Sequence, residues 1–555
     1  MSLQPQSLGP VSFDTARVAR AAFPKGTRCL RIADALGGAP YDDAAFADLF
    51  PVRGQPAEAP ARLALATVLQ FVEGLTDREA ADAVRGRLDW KYALALELTD
   101  AGAVDTGFDH TVLSQFRTRL VAGGAEQRLL DLLLDRLRAT GLLAARGRQR
   151  TDSTHVLAAV RALNRLERVG ETVRATLDVL ATVVPEWLAA MAPAVWYARY
   201  GRRVENYHLP KTDAARAALA AEIGADGRQL LGVIDAATDA PWLATLPAVR
   251  VLRQVWAEHY VAEGDRLRWR TLEEMGAPAT MITSPYDPDA RFSRKRETEW
   301  VGYKVHFTET CEPERPRVIT HVETTPATTP DDHMVAVVHD ALAARDLLPS
   351  EHLVDKGYTD SAVLLASERA HGVRLVGPVA ADPSWQTRAG AGFAQADFVV
   401  DWDRRVATCP AGNESVSFEP APHAHGGAGW EVRFGREDCR GCPQRAQCTR
   451  AEREPRGITL LPQAQYEALQ AARRAQDTEG FRAAYAARAG VESTHAQAVR
   501  RSGLRRCRYR GLAKTRLQHV LTAAALNVMR VAEWHAGARP GATARSAFAR
   551  LRPAA

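Results

Sequence analysis

Between residues 61 and 74 the apolar residues of ARLALATVLQFVEG recur at helical spacing and stop at Gly74. Thr76-Asp77-Arg78-Glu79 follows with the form of a capping box: the Thr side chain accepts the N3 amide and the Glu reaches back to the cap amide. It predicts a second helix running through Val84 and Leu88. Asp109 or Thr111 can cap a third, VLSQFRTRLV, with Leu113, Phe116 and Leu120 on one face. Short helices joined by tight turns suit a helix-turn-helix arrangement and suit a small helical bundle equally well. Residues 1–145 are therefore expected to form a helical N-terminal domain. In the first case it binds DNA, with Ser114, Gln115 and Arg117 as candidate base readers.

At Arg148 the period changes. RQRTDSTHVLAAV alternates and carries β-branched residues, which predicts a strand through Asp152. Residues 158–285 read as a mostly helical insertion. Strand patterns return in WVGYKVHFTET and, after a Pro-rich turn at 312–316, in RVITHVETTPAT. MVAVVHDALAA predicts a helix, EHLVDKGYTDS a short strand ending at Asp355, AVLLASERAHG a helix and VRLVGPV a strand. The two-strand segment suits a hairpin and the later alternation suits parallel crossovers. The expected class is α/β with a mixed sheet, whose core occupies residues 146–157 and 286–382 on either side of the insertion. Residues 383–470 form a Cys-rich insert. A long helix over 478–500 and the apolar LQHVLTAAALNVMRVAEW belong to a segment 471–535, and 536–555, rich in Ala, Arg and Pro, are expected to be a flexible tail.

Composition narrows the class. With 46% hydrophobic and 25% charged residues among 555, the chain can bury a sizeable core. A formal net charge of +6 is compatible with a polyanionic partner. Its distribution says more: Arg500 to Arg516 reads RRSGLRRCRYRGLAKTR, with no acid. That run can be a solvated face or a tail. The interleaved apolar residues and Tyr509 favour nucleic-acid contact through Arg500, Arg505, Arg506, Arg508, Arg510 and Lys514. The N-terminus lacks the apolar core of a secretory signal, and the most apolar stretch, Val179 to Tyr197, is broken by Pro185, Glu186 and Pro193. A cytoplasmic protein with no membrane partner is expected.

Three acids stand out. Asp152 lies in a strand between Thr151 and Ser153. Asp355 follows Leu353-Val354 and precedes Gly357, where a strand ends. Glu492 shares a helical stripe with Tyr485, Arg488 and His495, spaced three, four and three apart. Phosphodiester transfer needs an activated oxygen on one side of phosphorus and a stabilised leaving oxygen on the other. Two Mg²⁺ ions about 4 Å apart can supply both, and hard cations take carboxylate ligands. The stripe can equally be an exposed polar face. Among seven cysteines, an odd number, Cys439-x-x-Cys442 with Cys448 and the upstream Cys409 has the short spacing of a structural Zn²⁺ site, zinc-ribbon-like and closed to catalysis. His423 or His425 can replace Cys409 as ligand, or the thiols can be free. Cys29, Cys311 and Cys507 read as structural. His155 can line the acidic site, Lys304 can meet DNA backbone, and His306 reads as structural.

The stretches FDHTVLSQFRTRL, TDSTHVLAAVR, WVGYKVHFTET, DKGYTDS, CPAG with CRGCPQRAQC, and RAGVESTHAQAVRRSGLRRCRYRGLAKTRLQHVLTAAALNVMR together resemble the bacterial insertion-sequence DDE transposases. The resemblance spans residues 108–530. It implies an RNase H-like catalytic core with metal-binding carboxylates Asp152, Asp355 and Glu492, using Mg²⁺ or Mn²⁺. Tyr485, Arg488 and Glu492 are similar to a Tyr-Arg-Glu signature that continues to a Lys seven residues after the Glu; here Val499 stands there, with Arg500 beside it. The resemblance further implies cleavage and strand transfer at the terminal inverted repeats of an insertion sequence. It implies double-stranded end and target DNA as partners, a dimer or larger assembly on DNA, and a nucleoid location. An RNase H-like endonuclease without strand transfer and a non-catalytic zinc-containing DNA-binding regulator are the alternatives.

Overall fold

The computed structural model describes residues 2–5, 8–38, 40–99, 107–264, 266–422 and 427–539. His423, His425 and the tail from 540 onward lie outside them. The chain is a mixed α/β protein.

The early helices form where the pattern places them. α1 (Pro60–Glu73) ends on Gly74, whose φ of 75° lies in the left-handed region. α2 (Asp77–Gly86) starts at Thr76 with both arms of the capping box formed: Thr76 N–H donates to Glu79 at 2.7 Å, and Glu79 N–H to the Thr76 hydroxyl at 3.3 Å. α2 stops at Gly86, and Leu88 opens a separate short helix rather than continuing the first. α3 (His110–Ala122) is capped by Asp109, which accepts the Thr111 amide at 2.8 Å. On α3, Arg117 is buried and ion-paired to Asp77 at 2.5 Å, so this guanidinium is not free to read a base edge; Ser114 and Gln115 are exposed.

The central sheet contains β1 (Arg146–Leu157), β2 (Arg291–Lys295), β3 (Thr298–Thr310), β4 (Ile319–Pro326), β5 (Pro349–Leu353) and β6 (Arg374–Val376). β1, β5 and β6 run parallel, joined by the crossover helices α4 (Met334–Ala343) and α5 (Ser361–His371). β3 lies antiparallel on the other side of β1; its far edge is taken by β2 along residues 298–302 and by β4 beyond them. β1 and β3 approach so closely at Gly302 (φ 155°) that a Cβ there would stand 2.1 Å from the Val156 carbonyl oxygen. β2 is a strand that the sequence pattern missed.

The expected long helix over 478–500 is interrupted. α6 (Glu479–Ala486) and α7 (Gly490–Ser502) are separated by a 3₁₀ turn at Ala487–Ala489. The closing helix α8 (Leu512–His535) is buried on nearly all sides. Asn527 pins it to the sheet by accepting the Ile319 amide and donating to the Ile319 carbonyl, both at 2.8 Å. Its apolar residues share one core with the N-terminal helices and with Val305, Phe307 and Val322 of the sheet. The residues from Leu166 to Ile282 bury a separate core of their own, and this region also holds a short hairpin, Tyr260–Glu263 with Arg266–Trp269. Among the described residues no helix is long and apolar enough to cross a membrane.

Candidate active site

Register brings the first two acids together. Arg150 of β1 pairs with Leu353 of β5, so Asp152 and Asp355, two residues further along parallel neighbours, end side by side. Asp152 accepts the Ser153 amide at 2.8 Å, and Asp355 caps the turn that follows β5 by accepting the Gly357 amide at 2.8 Å. The third acid arrives from across the sheet, on α7.

Buried charges hold that helix in place. Arg150 donates to Glu309 at 2.8 and 2.5 Å and also to the Ala487 carbonyl. Its guanidinium fills the space beneath Gly490, where a Cβ would stand 2.1 Å from Nη1. Glu309 accepts in addition from Thr494 of α7 at 2.7 Å and from Arg530 of α8 at 2.9 Å. The 3₁₀ turn and the first turn of α7 are thereby clamped to the sheet. Sequence reading named none of these four residues, because the partners of Glu309 come from three distant segments.

Arg488, in that turn, is the meeting point of the acids. Its Nη2 lies 2.8 Å from Asp152 and 3.8 Å from Asp355, and its Nη1 lies 2.8 Å from Glu492. The three predicted carboxylates therefore converge on one guanidinium. They open on a cleft of about 800 Å³, also lined by His155, Lys304, His495, Val499, Arg500 and Arg505, and by Lys295, Arg296 and Trp300. Tyr485 stacks its ring on Phe481 with centroids 5.6 Å apart and lies within the field of Arg488, Asp355, Asp152 and Glu492, while burial raises its phenol.

Burial pushes the Asp152 carboxyl up to about 6; the charge of Asp355 adds to this, while Arg488 and the Ser153 amide oppose it. Below that value Asp152 is protonated and loses its charge for a cation. If Asp152 is a cation ligand, as the sequence suggests, Mn²⁺ binding to DNA-free protein is expected to weaken as pH falls through about 6, above the ordinary range for Asp. An Mn²⁺ titration followed by electron paramagnetic resonance at pH 5 to 8 checks this; affinity that is flat across the range contradicts it.

Other candidates are placed differently. His495 is buried against Phe307, and burial pushes it down to about 4, so it is neutral at pH 7. Lys304 reaches the cleft, but its ammonium already donates to the Thr329 carbonyl at 2.7 Å and to Asp331 at 2.9 Å. Asp331, absent from the sequence reading, also accepts from Ser153 at 3.3 Å. His306 is buried on Tyr358, 2.6 Å from its hydroxyl, which fits a structural role. The basic run is a strap docked on the core: Arg506 bridges to Leu157, Arg508 lies over Phe71, Arg510 over Tyr286, and Tyr509 under Arg117. Arg500, Arg505, Arg506, Arg508, Arg510 and Lys514 are exposed, and none forms an ion pair among the described residues.

Cys409, Cys439, Cys442 and Cys448 line one small cavity beside the three-stranded sheet formed by Ser415–Pro422, Ala428–Phe434 and Gly457–Leu460. Burial raises the Cys448 thiol above its ordinary value, and the other three cysteines add to the shift. The four sulfurs converge less tightly than Cys29, Glu73 and Asp89, whose ligand atoms all lie within 4.8 Å of one another. In that trio Arg87 already pairs both acids, Glu73 at 2.5 Å and Asp89 at 2.8 Å, which marks it as a charge cluster of the helical core.

Comparison with known families finds two matches, each to part of the chain. Residues 408–532 match the family described as a transposase DDE domain, a span that includes Glu492 and the four cysteines and excludes Asp152 and Asp355. Residues 17–119 match the family described as transposase domain (DUF772). Together the two matches indicate an insertion-sequence DDE transposase. No curated protein and no solved structure matches the chain.

Proposed function

We propose that the protein cuts the ends of its own insertion sequence and joins them to target DNA, with Asp152, Asp355 and Glu492 as the metal-holding acids of an RNase H-like core. The convergence of these three carboxylates on Arg488 carries the reading. A donor set made only of carboxylate oxygens fits a hard divalent cation, Mg²⁺ or Mn²⁺. Such ions, when bound, activate the attacking oxygen and stabilise the leaving one.

The chain's own groups do the rest. Asp152 and Asp355 are fixed by strand register, and Glu492 by the clamp beneath α7. Arg488 balances the three negative charges, and its 2.8 Å contacts to Asp152 and Glu492 hold them in a common orientation. Arg500 and Arg505 line the same cleft and can neutralise phosphates. The other cations of the strap, with α3 beside them, extend a DNA-binding surface away from the cleft, and Tyr485 stands in the field of the acids and Arg488. Cleavage is in-line attack of water on phosphorus, releasing a 3′-hydroxyl. Joining is attack of that hydroxyl on a target phosphorus, releasing a 3′-oxygen of the target strand. Holding two ends at once calls for a dimer or larger assembly on DNA, in the cytoplasm at the nucleoid.

Purified protein incubated with labelled element ends, a target plasmid and Mg²⁺ tests this. Cut and joined products are expected. Cut products alone select an endonuclease without strand transfer. DNA binding with neither product, unaltered in Asp152→Ala, selects a regulator.

The four-thiol cavity suits a structural Zn²⁺ by its donor set. Elemental analysis is expected to find one zinc per chain. A zinc-selective chelator, with Mg²⁺ kept in excess, should lower thermal stability, and the site itself takes no part in the chemistry since a closed four-ligand site has no open position. Zinc-free protein whose stability is indifferent to chelator contradicts the assignment.

A further inference from the structure

The tip of the β2–β3 hairpin carries three consecutive cations, Arg294, Lys295 and Arg296, in a polar segment that no family match covers. Lys295 pairs with Thr298 across the turn, leaving Arg296 and Glu297 as a two-residue loop. The three cations differ in their surroundings. Arg294 faces Glu299 at 3.7 Å and donates to the Arg296 carbonyl. Lys295 and Arg296 are exposed, line the cleft, and among the described residues have no acidic partner.

We propose that Lys295 and Arg296 form a DNA-backbone-binding edge of the cleft, set against the basic wall of Arg500 and Arg505, so that the strand to be cut lies between the two. This rests on reading the cleft as a DNA-cutting site. Three observations carry it. First, two unpaired cations from the hairpin and two from the α7 side line the cavity that holds Asp152, Asp355 and Glu492. The acids are already balanced in part by Arg488. Cations supplied to one cleft by two separate segments suit a chain of regularly spaced phosphates better than one compact anion. Second, the neighbouring cations are placed differently: Lys304 is held by Asp331 at 2.9 Å, and Arg294 faces Glu299 at 3.7 Å and is not among the residues lining the cleft. The charge left free is therefore specific to two positions. Third, Arg296 takes φ 56°, the left-handed region, where glycine or Asn is at ease and an Arg costs about 1 kcal/mol or more. A strained turn residue beside a reactive cleft is a pattern expected when the side chain is used there.

The test compares full-length wild type with K295A/R296A, R296G and R294A, binding a fluorescent duplex oligonucleotide without added divalent ion over a salt series. The slope of log affinity against log salt should flatten by about 1.8 for the double variant, since each lost duplex phosphate contact removes about 0.9. R294A, on the same tip but paired, should leave the slope unchanged. R296G should lose about half as much as the double variant while its melting temperature stays level or rises, because glycine relieves the strained turn. An unchanged slope in K295A/R296A overturns the proposal, and so does an equal loss in R294A. If wild type itself does not bind the duplex, the DNA reading of the cleft falls and the hairpin assignment falls with it.

Discussion

Replacing Asp152 by Asn, or Glu492 by Gln, is expected to lower both cleavage and joining by roughly a thousandfold or more while DNA binding stays within a few-fold of wild type. Losing one carboxylate from a divalent-cation site removes several kcal/mol of transition-state stabilisation, and each 1.4 kcal/mol is about tenfold in rate. The basic strap and the hairpin, to which the phosphate contacts are assigned by proposal, are untouched by either change. A direct role can be separated from misfolding through Asp152 itself. Its carboxyl is pushed up to about 6, above the ordinary value of 3.8. A raised folded-state value for an acid means that the fold favours the neutral form, so at pH 7 the buried charge works against folding in metal-free protein. Asn removes that charge at nearly the same volume. The melting temperature of Asp152→Asn without divalent ion is therefore expected to equal or exceed that of wild type, while the stabilisation that Mn²⁺ gives wild type disappears. A variant that melts well below wild type and recovers activity at lower temperature would point to a structural role instead.

The acids were legible for different reasons. Asp152 and Asp355 each sit where an apolar strand pattern meets small or turn-forming residues, a local signal. That Arg150 stands opposite Leu353, the fact that aligns the two acids, is a matter of parallel register, which no local pattern specifies. Arg488 and Glu492 were visible as a helical i, i+4 pair. The 3₁₀ turn was not, because it follows from the buried Arg150 guanidinium pressing beneath Gly490 from another segment. β2 escaped notice because RFSRKR has only one apolar residue. Its strand state comes from pairing with β3, a tertiary effect that outweighs pattern.

Charge was harder still to read. The run of 500–516 is acid-free in sequence and remains without ion pairs at its named arginines, so there composition and structure agree. Lys304 and Arg117 read as free cations, yet Asp331 and Asp77 hold them. The difference lies in the neighbours: the arginines in the middle of the run dock against aromatic rings and backbone, whereas the other two, and Arg516 at the run's end with Glu323 at 2.9 Å, face acids from distant elements. The N-terminal helices posed the same problem for domain boundaries. Nothing near residue 145 reveals that their apolar faces share a core with α8, since that helix lies nearly four hundred residues downstream in the chain.

The largest loss of stability is expected from Glu309→Gln. Glu309 is fully buried, and burial alone would raise its carboxyl; Arg530 and Arg150, with the Thr494 hydroxyl, reverse this and hold it below the usual range. Removing the acid leaves two guanidiniums facing each other out of water, and breaking a buried pair in this way costs about 3–5 kcal/mol. Arg150→Met should cost less, because Glu309 keeps Arg530 at 2.9 Å and a long apolar side chain can still fill the space beneath Gly490. It should nonetheless impair cleavage at temperatures where the protein stays folded, since the Ala487 carbonyl loses its donor and the turn that aims Arg488 loosens. Urea unfolding of the two variants gives the ordering, and Arg150→Met proving the more destabilising would show that the acid is not the centre of the cluster. The pH dependence supplies an independent sign. A lowered folded-state value means that the stabilisation from Glu309 is fully present above the ordinary glutamate range and is lost as pH falls through the lower value. Wild type should therefore lose stability steeply on acidification below about pH 4.5, and Glu309→Gln, already without that contribution, should lose less over the same interval.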